Sequence, residues 1–372
     1  MTAADDPRND ALLASFERAG YRRLTPAILQ PAAPFLDLSG EDIRKRMYLT
    51  TDVRPDLTIP VSREYLASSE AGRPQGLCYL GQVFRHPRSE TDGASEFWQA
   101  GIESFGRTDT AAADAEMIAL GLDSAANFGL SEPCIRIGDV GLFSALIAAL
   151  DLAPAWRRRL LKDFNHKASL AQDLEPLSIE VAQAPAEYQG VLTALAGSDP
   201  KGAHALVTDL LSIAGITAVG GRSVGEIADR FLEQAALGAK TSLPRELRSL
   251  IQKFLTIGGD PDEAAAELRA FAHDAHLTLD AALDLFESRT GFLAARGVDV
   301  GRIRFSTAFG RGVEYYTGVV FELHDPREQV KGQLVAGGRY DGLLTRLGSA
   351  RAIPAVGFAV WVERLARVRG VA

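Results

Sequence analysis

YLGQVFRHPRSETDGASEFWQAGIESFG, residues 79–106, reads as two strands folded back on each other. Leu77 to Phe84 is apolar and strand-like, Pro87 to Ser95 is rich in turn residues, and Glu96 to Phe105 alternates again, the pattern of an antiparallel hairpin. Along the second strand Phe97, Gln99, Gly101, Glu103 and Phe105 share one face, and Trp98, Ala100 and Ile102 share the other. The second face is apolar enough to pack on helices. The first holds Gln and Glu with a glycine between them, their Cα atoms about 13 Å apart. Two readings stand: an exposed polar strand face, or the floor of a site for a small zwitterion with a polar end group. A carboxylate pairs with an ammonium or imidazolium, and a Gln amide both donates and accepts. Arg85, where the first strand enters the turn, fits a bidentate grip on a phosphate or carboxylate, or a surface ion pair.

Working outward, Asp10 to Ala19 has Leu12, Leu13 and Phe16 on one side and Gly20 as its stop, the mark of an amphipathic helix. Residues 1–154 mix helical and strand patterns. Residues 155–295 are Ala- and Leu-rich with helical periodicity; 185–196, 204–213, 224–237 and 260–272 are the helix candidates. Residues 296–372 return to strand and turn signals. Val313 to Leu323 is β-branched and aromatic, hence a strand, and Gly337 to Gly342 is a cluster of turn residues. Val356 to Val368 repeats apolar residues at helical spacing. The expected architecture is α+β: an antiparallel sheet flanked by helices, formed by 1–154 and 296–372, with a mainly helical insertion at 155–295.

Composition narrows the function. Of 372 residues 47% are hydrophobic and 24% charged, an ordinary globular mix, and the net charge is −8. The short basic runs at 22–23, 44–46 and 157–159 read as solvated helix faces, so no nucleic-acid partner is expected. No apolar run approaches the roughly 18 residues that span a bilayer, so no membrane is expected either. Two cysteines and six scattered histidines suggest neither a disulfide framework nor a metal site. A cytoplasmic location fits that usage.

A second polar segment, Arg311-Gly312-Val313-Glu314-Tyr315-Tyr316-Thr317-Gly318, joins a cation to a tyrosine pair. In a strand, neighbours face opposite ways, so one tyrosine is expected to face a pocket and the other the core. Taken together, residues 79–106 resemble the second signature motif of the histidyl-tRNA synthetase family, a class II aminoacyl-tRNA synthetase group. FGRGVEYYTGVVFE (309–322) resembles that family's histidine-recognition segment. GGRYDGLL (337–344) with AVGFAVWVERL (355–365) resembles its third motif, DVRPDLT (52–58) a ligand-site segment, and GYRRLTPAILQP (20–31) its first motif. The resemblance covers nearly the whole expected core, in order.

That resemblance implies a histidine-binding set: Asp56 (a glutamate in the family) and Thr58, Arg85, Gln99 and Glu103, Arg311, and the pair Tyr315 and Tyr316. Glu314 replaces an aspartate. Three departures set the chain apart from the charging enzymes. The given sequence runs only a few residues past the third motif, so no anticodon-reading domain is expected. The turn at 90–95 carries two acids and no base where a nucleotide phosphate is met. Trp361 stands where a glycine is usual and is expected to occupy the adenine space. Arg85, Arg311 and Arg364, by contrast, keep positions used with ATP. The branch of the family that these features resemble is the regulatory subunits of ATP phosphoribosyltransferase. It implies no catalytic residue, cofactor or metal, L-histidine as effector, a short-form ATP phosphoribosyltransferase catalytic subunit as partner, and a homodimer of the core. The alternatives are a histidine-adenylating enzyme acting without an anticodon domain, and a structural assembly partner with a relic pocket.

Overall fold

A computed structural model describes residues 6–39, 43, 46–47, 53–86, 94–174, 205, 209, 218–219, 222–223 and 243–368. These form two compact units, one of residues 1–149 with 254–372 and the other of residues 150–253.

The first unit is built on nine strands. In chain order they are β1 (Arg22–Leu24), β2 (Gln75–Phe84), β3 (Glu96–Phe105), β4 (Cys134–Asp139), β5 (Gly258–Gly259), β6 (Ile303–Ser306), β7 (Val319–His324), β8 (Val335–Arg339) and β9 (Ala355–Trp361). Their order across the sheet is β1-β2-β3-β9-β8-β7-β4-β6-β5. The run from β2 to β4 is antiparallel throughout, as the hairpin predicts. The pairs β1–β2 and β4–β6 are parallel, so the sheet is mixed at its flanks rather than antiparallel.

The main helices of this unit are α1 (Pro7–Arg18), α2 (Thr58–Ala67), α3 (Thr110–Ala126), α4 (Pro261–Asp274) and α5 (Asp280–Ala295). Asp6 caps α1 by accepting the Arg8 N–H at 3.0 Å, and Pro7 occupies the first turn. Leu12, Leu13 and Phe16 are buried as the periodicity predicts, and Phe16 meets Phe358 of β9 edge to face at 5.9 Å. Helix α3 lies against the central strands. Its buried positions are mostly small, so its backbone comes close: a Cβ on Gly121 would stand 3.1 Å from the Phe321 ring. Helix α5 packs on α3 and reaches β6 through Phe286 and Phe305, 4.6 Å between centroids.

The expected insertion at 155–295 is therefore too long. Residues 254–295, with α4 and α5, belong to the sheet-bearing unit, and the second unit ends at 253. Both stretches of sequence are Ala- and Leu-rich with helical periodicity, so texture alone did not separate them. The second unit contains helices Pro154–Asp163 and Lys167–Leu174, most of helix Arg245–Leu255, and a two-stranded hairpin of 218–219 with 222–223. The expected helices 185–196 and 224–237 lie outside the described residues, as does 204–213 apart from 205 and 209. No helix among the described residues is long and apolar enough to cross a membrane.

Three other expectations change. Val356 to Val368 is not one helix: 355–361 is strand β9, and the helix is Val362–Arg367. β9 is a central strand, buried on both faces, and such a strand loses alternation and mimics a helical stripe. Gly337 and Gly338 are not in a turn but in β8, where an added Cβ would strike the Gly357 and Val319 carbonyls. The strand expected at 313–323 starts only at Val319, so the tyrosine pair sits in the preceding loop.

Candidate functional site

The floor of the site follows from strand register. On β3, Gln99, Gly101 and Glu103 stand opposite Trp361, Ala359 and Gly357 of β9, and opposite Gly81, Tyr79 and Leu77 of β2. Opposed residues share a face. Gly101 does clear space between Gln99 and Glu103, but the Tyr79 side chain takes it: a Cβ there would stand 2.5 Å from the Tyr79 hydroxyl. That hydroxyl donates to Glu103 Oε1 at 3.2 Å. The Tyr340 hydroxyl donates to the other Glu103 oxygen. Gly357 is required opposite Glu103, since a Cβ there would overlap the carboxylate.

All eight residues expected at the ligand site line one narrow cavity of about 40 Å³ that opens to solvent. Asp56 precedes α2 and accepts the Ile59 N–H at 3.1 Å; Thr58 is the first residue of that helix. Arg85 leaves the end of β2 and donates from Nε to the Pro55 carbonyl. Tyr315 and Tyr316 both face the cavity, with ring centroids 4.9 Å apart. The expectation that only one would do so fails because the pair is in a loop, where alternation does not apply. Arg311 donates to the Tyr316 hydroxyl at 2.6 Å and pairs with Glu322 at 3.1 Å. Glu322 is its carboxylate partner.

The polar lining is unusually buried: Gln99 is 2% exposed and Glu103 1%. Gln99 Oε1 has no hydrogen-bond partner in the structure. A buried acceptor left unmade costs roughly 1–3 kcal/mol, so it is a place where a ligand N–H gains more than at the surface. Burial raises Asp56 above the usual carboxylate range, against the pull of Arg85. Burial pushes Glu103 up to about 8, while the Tyr340, Thr58 and Tyr79 hydroxyls act the other way. Arg85 is brought down to about 10, again by burial. Arg85 and Arg311 stand where this cavity meets a second one, whereas both carboxylates and Gln99 line the inner cavity alone. The result is an acceptor-rich interior with a cationic mouth, suited to a small zwitterion that enters ammonium or imidazole end first.

Glu103 makes a stability prediction. Its folded value lies above that of a free carboxylic acid, so its contribution is complete below about pH 4.5 and is lost as pH rises through about 8. Glu103→Gln keeps the neutral form. The Tm of the variant, relative to the unsubstituted chain, should climb steadily from pH 5 to pH 8.5 without ligand. Parallel curves from differential scanning calorimetry would show that Glu103 is already ionised across that range.

The second cavity, about 690 Å³, shares Arg85, Arg311 and Trp361 with the first as lining. Trp361 ends β9 and is 5% exposed. Its indole forms part of the wall, with the Arg364 guanidinium 5.9 Å from the ring centroid. The indole lines both cavities, and the larger one stays open beside it. Of the acidic turn at 90–95, residues 90–93 lie outside the described residues. Among the described residues no group of three or more His, Cys, Asp or Glu side chains could hold a metal.

Behind the tyrosine loop lies a buried ionic cluster. Arg289 of α5 reaches Asp139 at 2.5 Å and Asp114 of α3 at 3.4 Å. Arg339 of β8 pairs with Asp114 at 2.7 Å and Asp341 at 2.8 Å. The Arg339 carbonyl accepts the Thr317 N–H at 2.8 Å, and the Thr317 hydroxyl accepts the Asp341 N–H at 2.9 Å. Sequence reasoning missed this cluster together with Tyr79, Tyr340 and Gly357. Each is defined by a partner 24 or more residues away, which periodicity does not report.

Comparison with known proteins places this geometry. The histidyl-tRNA synthetase family model matches residues 7–219 and 201–365. ATP phosphoribosyltransferase regulatory subunits from Brucella canis and Brucella melitensis are each 40% identical over 351 residues. The match spans 92% of this chain and 92% and 91% of theirs. The chain belongs to the ATP phosphoribosyltransferase regulatory subunit family. Solved structures agree on the fold. An ATP phosphoribosyltransferase regulatory subunit/histidyl-tRNA synthetase from Bacillus halodurans matches with a TM-score of 0.63 at 22% identity, over 97% of this chain and 77% of that one. Apo histidyl-tRNA synthetase from S. aureus matches with a TM-score of 0.54 at 18% identity, over 98% and 69%. The regulatory-subunit family thus has, in this member, a class II synthetase-type mixed sheet, and the eight side chains expected at a ligand site line one cavity.

Proposed function

We propose that this chain is the non-catalytic regulatory subunit of an ATP phosphoribosyltransferase, the first enzyme of histidine biosynthesis, and that its inner cavity binds L-histidine. Its partner is the short-form catalytic subunit, and the core is a homodimer. The observation that carries the reading is the convergence of two buried carboxylates and the unsatisfied Gln99 oxygen behind two guanidiniums. Histidine supplies a group for each: an ammonium and an imidazole for the interior, and a carboxylate for the mouth. Family membership supports the regulatory role, through relatives of that name.

Control follows from linkage. Bound histidine inhibits the partner only insofar as it prefers an assembly less competent in catalysis; such couplings are typically about 1–3 kcal/mol. Titration calorimetry with L-histidine, ATP and both, followed by assay of the reconstituted complex, tests the proposal. Histidine should bind alone, and Glu103→Gln should weaken it by about 1–3 kcal/mol, the range for losing a charged hydrogen-bond partner. An unchanged affinity moves the effector to another site.

A second reading has an observation of its own. The open cavity beyond Trp361, bordered by Arg46, Arg85, Arg311 and Arg364, has the volume for a nucleotide. A histidine-adenylating enzyme would show histidine-dependent ATP–pyrophosphate exchange; the regulatory reading expects none.

A further inference from the structure

One chain of contacts runs from the mouth of the inner cavity out to a histidine. Arg311 donates to the Tyr316 hydroxyl at 2.6 Å, with its guanidinium 5.3 Å from that ring's centroid. Its Nε meets Glu322 Oε1 at 3.1 Å. The other oxygen of the same carboxylate lies 2.9 Å from His324 Nε2. Glu322 and His324 are two residues apart on β7, so their side chains leave the same face. Side-chain exposure rises along the chain, from 9% at Arg311 to 17% at Glu322 and 20% at His324. Solvent protons therefore reach its outer end while its inner end stays in the cavity wall.

We propose that His324 is a positioning residue for Arg311: acting through Glu322, its protonation state sets how strongly the guanidinium holds the carboxylate of a bound amino acid. The inference rests on the reading that the inner cavity takes histidine with its carboxylate at the mouth. With His324 neutral, the Arg311–Glu322–His324 group has no net charge, and Glu322 is committed to Arg311. With His324 protonated, Glu322 is shared between two cations, the group carries one positive charge, and Arg311 turns more of its charge to the ligand. Histidine side chains change charge between about pH 5 and 8. Among the described residues, the titratable groups in strand register with His324 are Glu322 on its own strand and Cys134, its partner on β4. Arg136, opposite Glu322 on β4, adds a fixed positive charge, and Ala336, opposite Glu322 on β8, adds none. By linkage, binding a carboxylate takes up a proton, so affinity rises as pH falls.

Histamine has the same imidazole and amine as histidine but no carboxylate, so it isolates this effect from ionisation of Glu103 and of the ligand. Calorimetry on the full chain gives the ratio of L-histidine to histamine affinity at pH 5.5 and pH 7.5. The ratio should fall about fivefold across that interval, the scale of a partly exposed ion pair, and by less than about twofold in His324→Gln. A variant-free measurement uses two buffers of different ionisation enthalpy at pH 6.5: histidine should bind with more proton uptake than histamine. A flat ratio in the unsubstituted chain, an unaltered slope in His324→Gln, or equal proton uptake for both ligands overturns the proposal while leaving histidine binding intact. Absence of binding by both ligands at both pH values removes the reading of the cavity and this inference with it.

Discussion

Arg289→Met should lower the stability of the sheet-bearing unit by about 3–5 kcal/mol, the cost of stripping one partner from a buried ion pair. Arg289 is 2% exposed and bridges Asp139 and Asp114, which are themselves buried. Arg339 still neutralises Asp114 in the variant. Asp139 would keep only the Gly141 and Leu142 N–H groups, at 2.8 and 3.3 Å. For a unit of this size the loss corresponds to a drop in Tm of about 10 °C. Adding Asp139→Asn should recover part of it, because the stranded charge rather than the lost attraction dominates. A shift within about 3 °C of zero for Arg289→Met would mean that α5 is held by its apolar face alone. The experiment matters for control as well, since the same cluster braces the loop that carries Tyr315 and Tyr316.

Gly101→Ala should cost about 3 kcal/mol or more and abolish histidine binding at millimolar ligand. The added methyl would overlap the Phe358 carbonyl and stand 2.5 Å from the Tyr79 hydroxyl. The carbonyl belongs to the β3–β9 ladder and cannot retreat without breaking it, which is what makes overpacking expensive here. Tyr79, if displaced, loses its hydrogen bond to Glu103. Gly291→Ala is the control: nothing lies within 4 Å of its Cβ position, it sits inside α5, and helix propensity predicts a gain of up to about 1 kcal/mol. Thermal unfolding of both variants, with calorimetry of the folded fraction, checks the pair. A Gly101→Ala chain that melts and binds normally would show that the strand contact is not tight.

The helix at α1, the hairpin of β2 and β3, and the gathering of eight named side chains around one cavity were legible in the sequence. They rest on local periodicity and on motif order. The β9 strand was not, because burial on both faces erases the alternation that distinguishes strand from helix. Nor was the loop placement of Tyr315 and Tyr316, which aims both rings into the cavity when a strand would have split them. The end of the inserted unit was invisible for a different reason: the sequence is Ala- and Leu-rich on both sides of it, and the ties of α5 to the sheet, Arg289 to Asp139 and Phe286 to Phe305, are made to residues distant in the chain.

The sequence by itself determined the family, the chemical types at the site and the polarity of its floor, since these depend on residue identity and on spacing within single elements. Tertiary structure alone decided that Tyr79 and Tyr340 hold Glu103, that Glu322 and His324 stand behind Arg311, and that the cavity beside Trp361 stays open. Those facts depend on distances between segments far apart in the chain, and such distances are set by how the sheet closes, which no local pattern encodes.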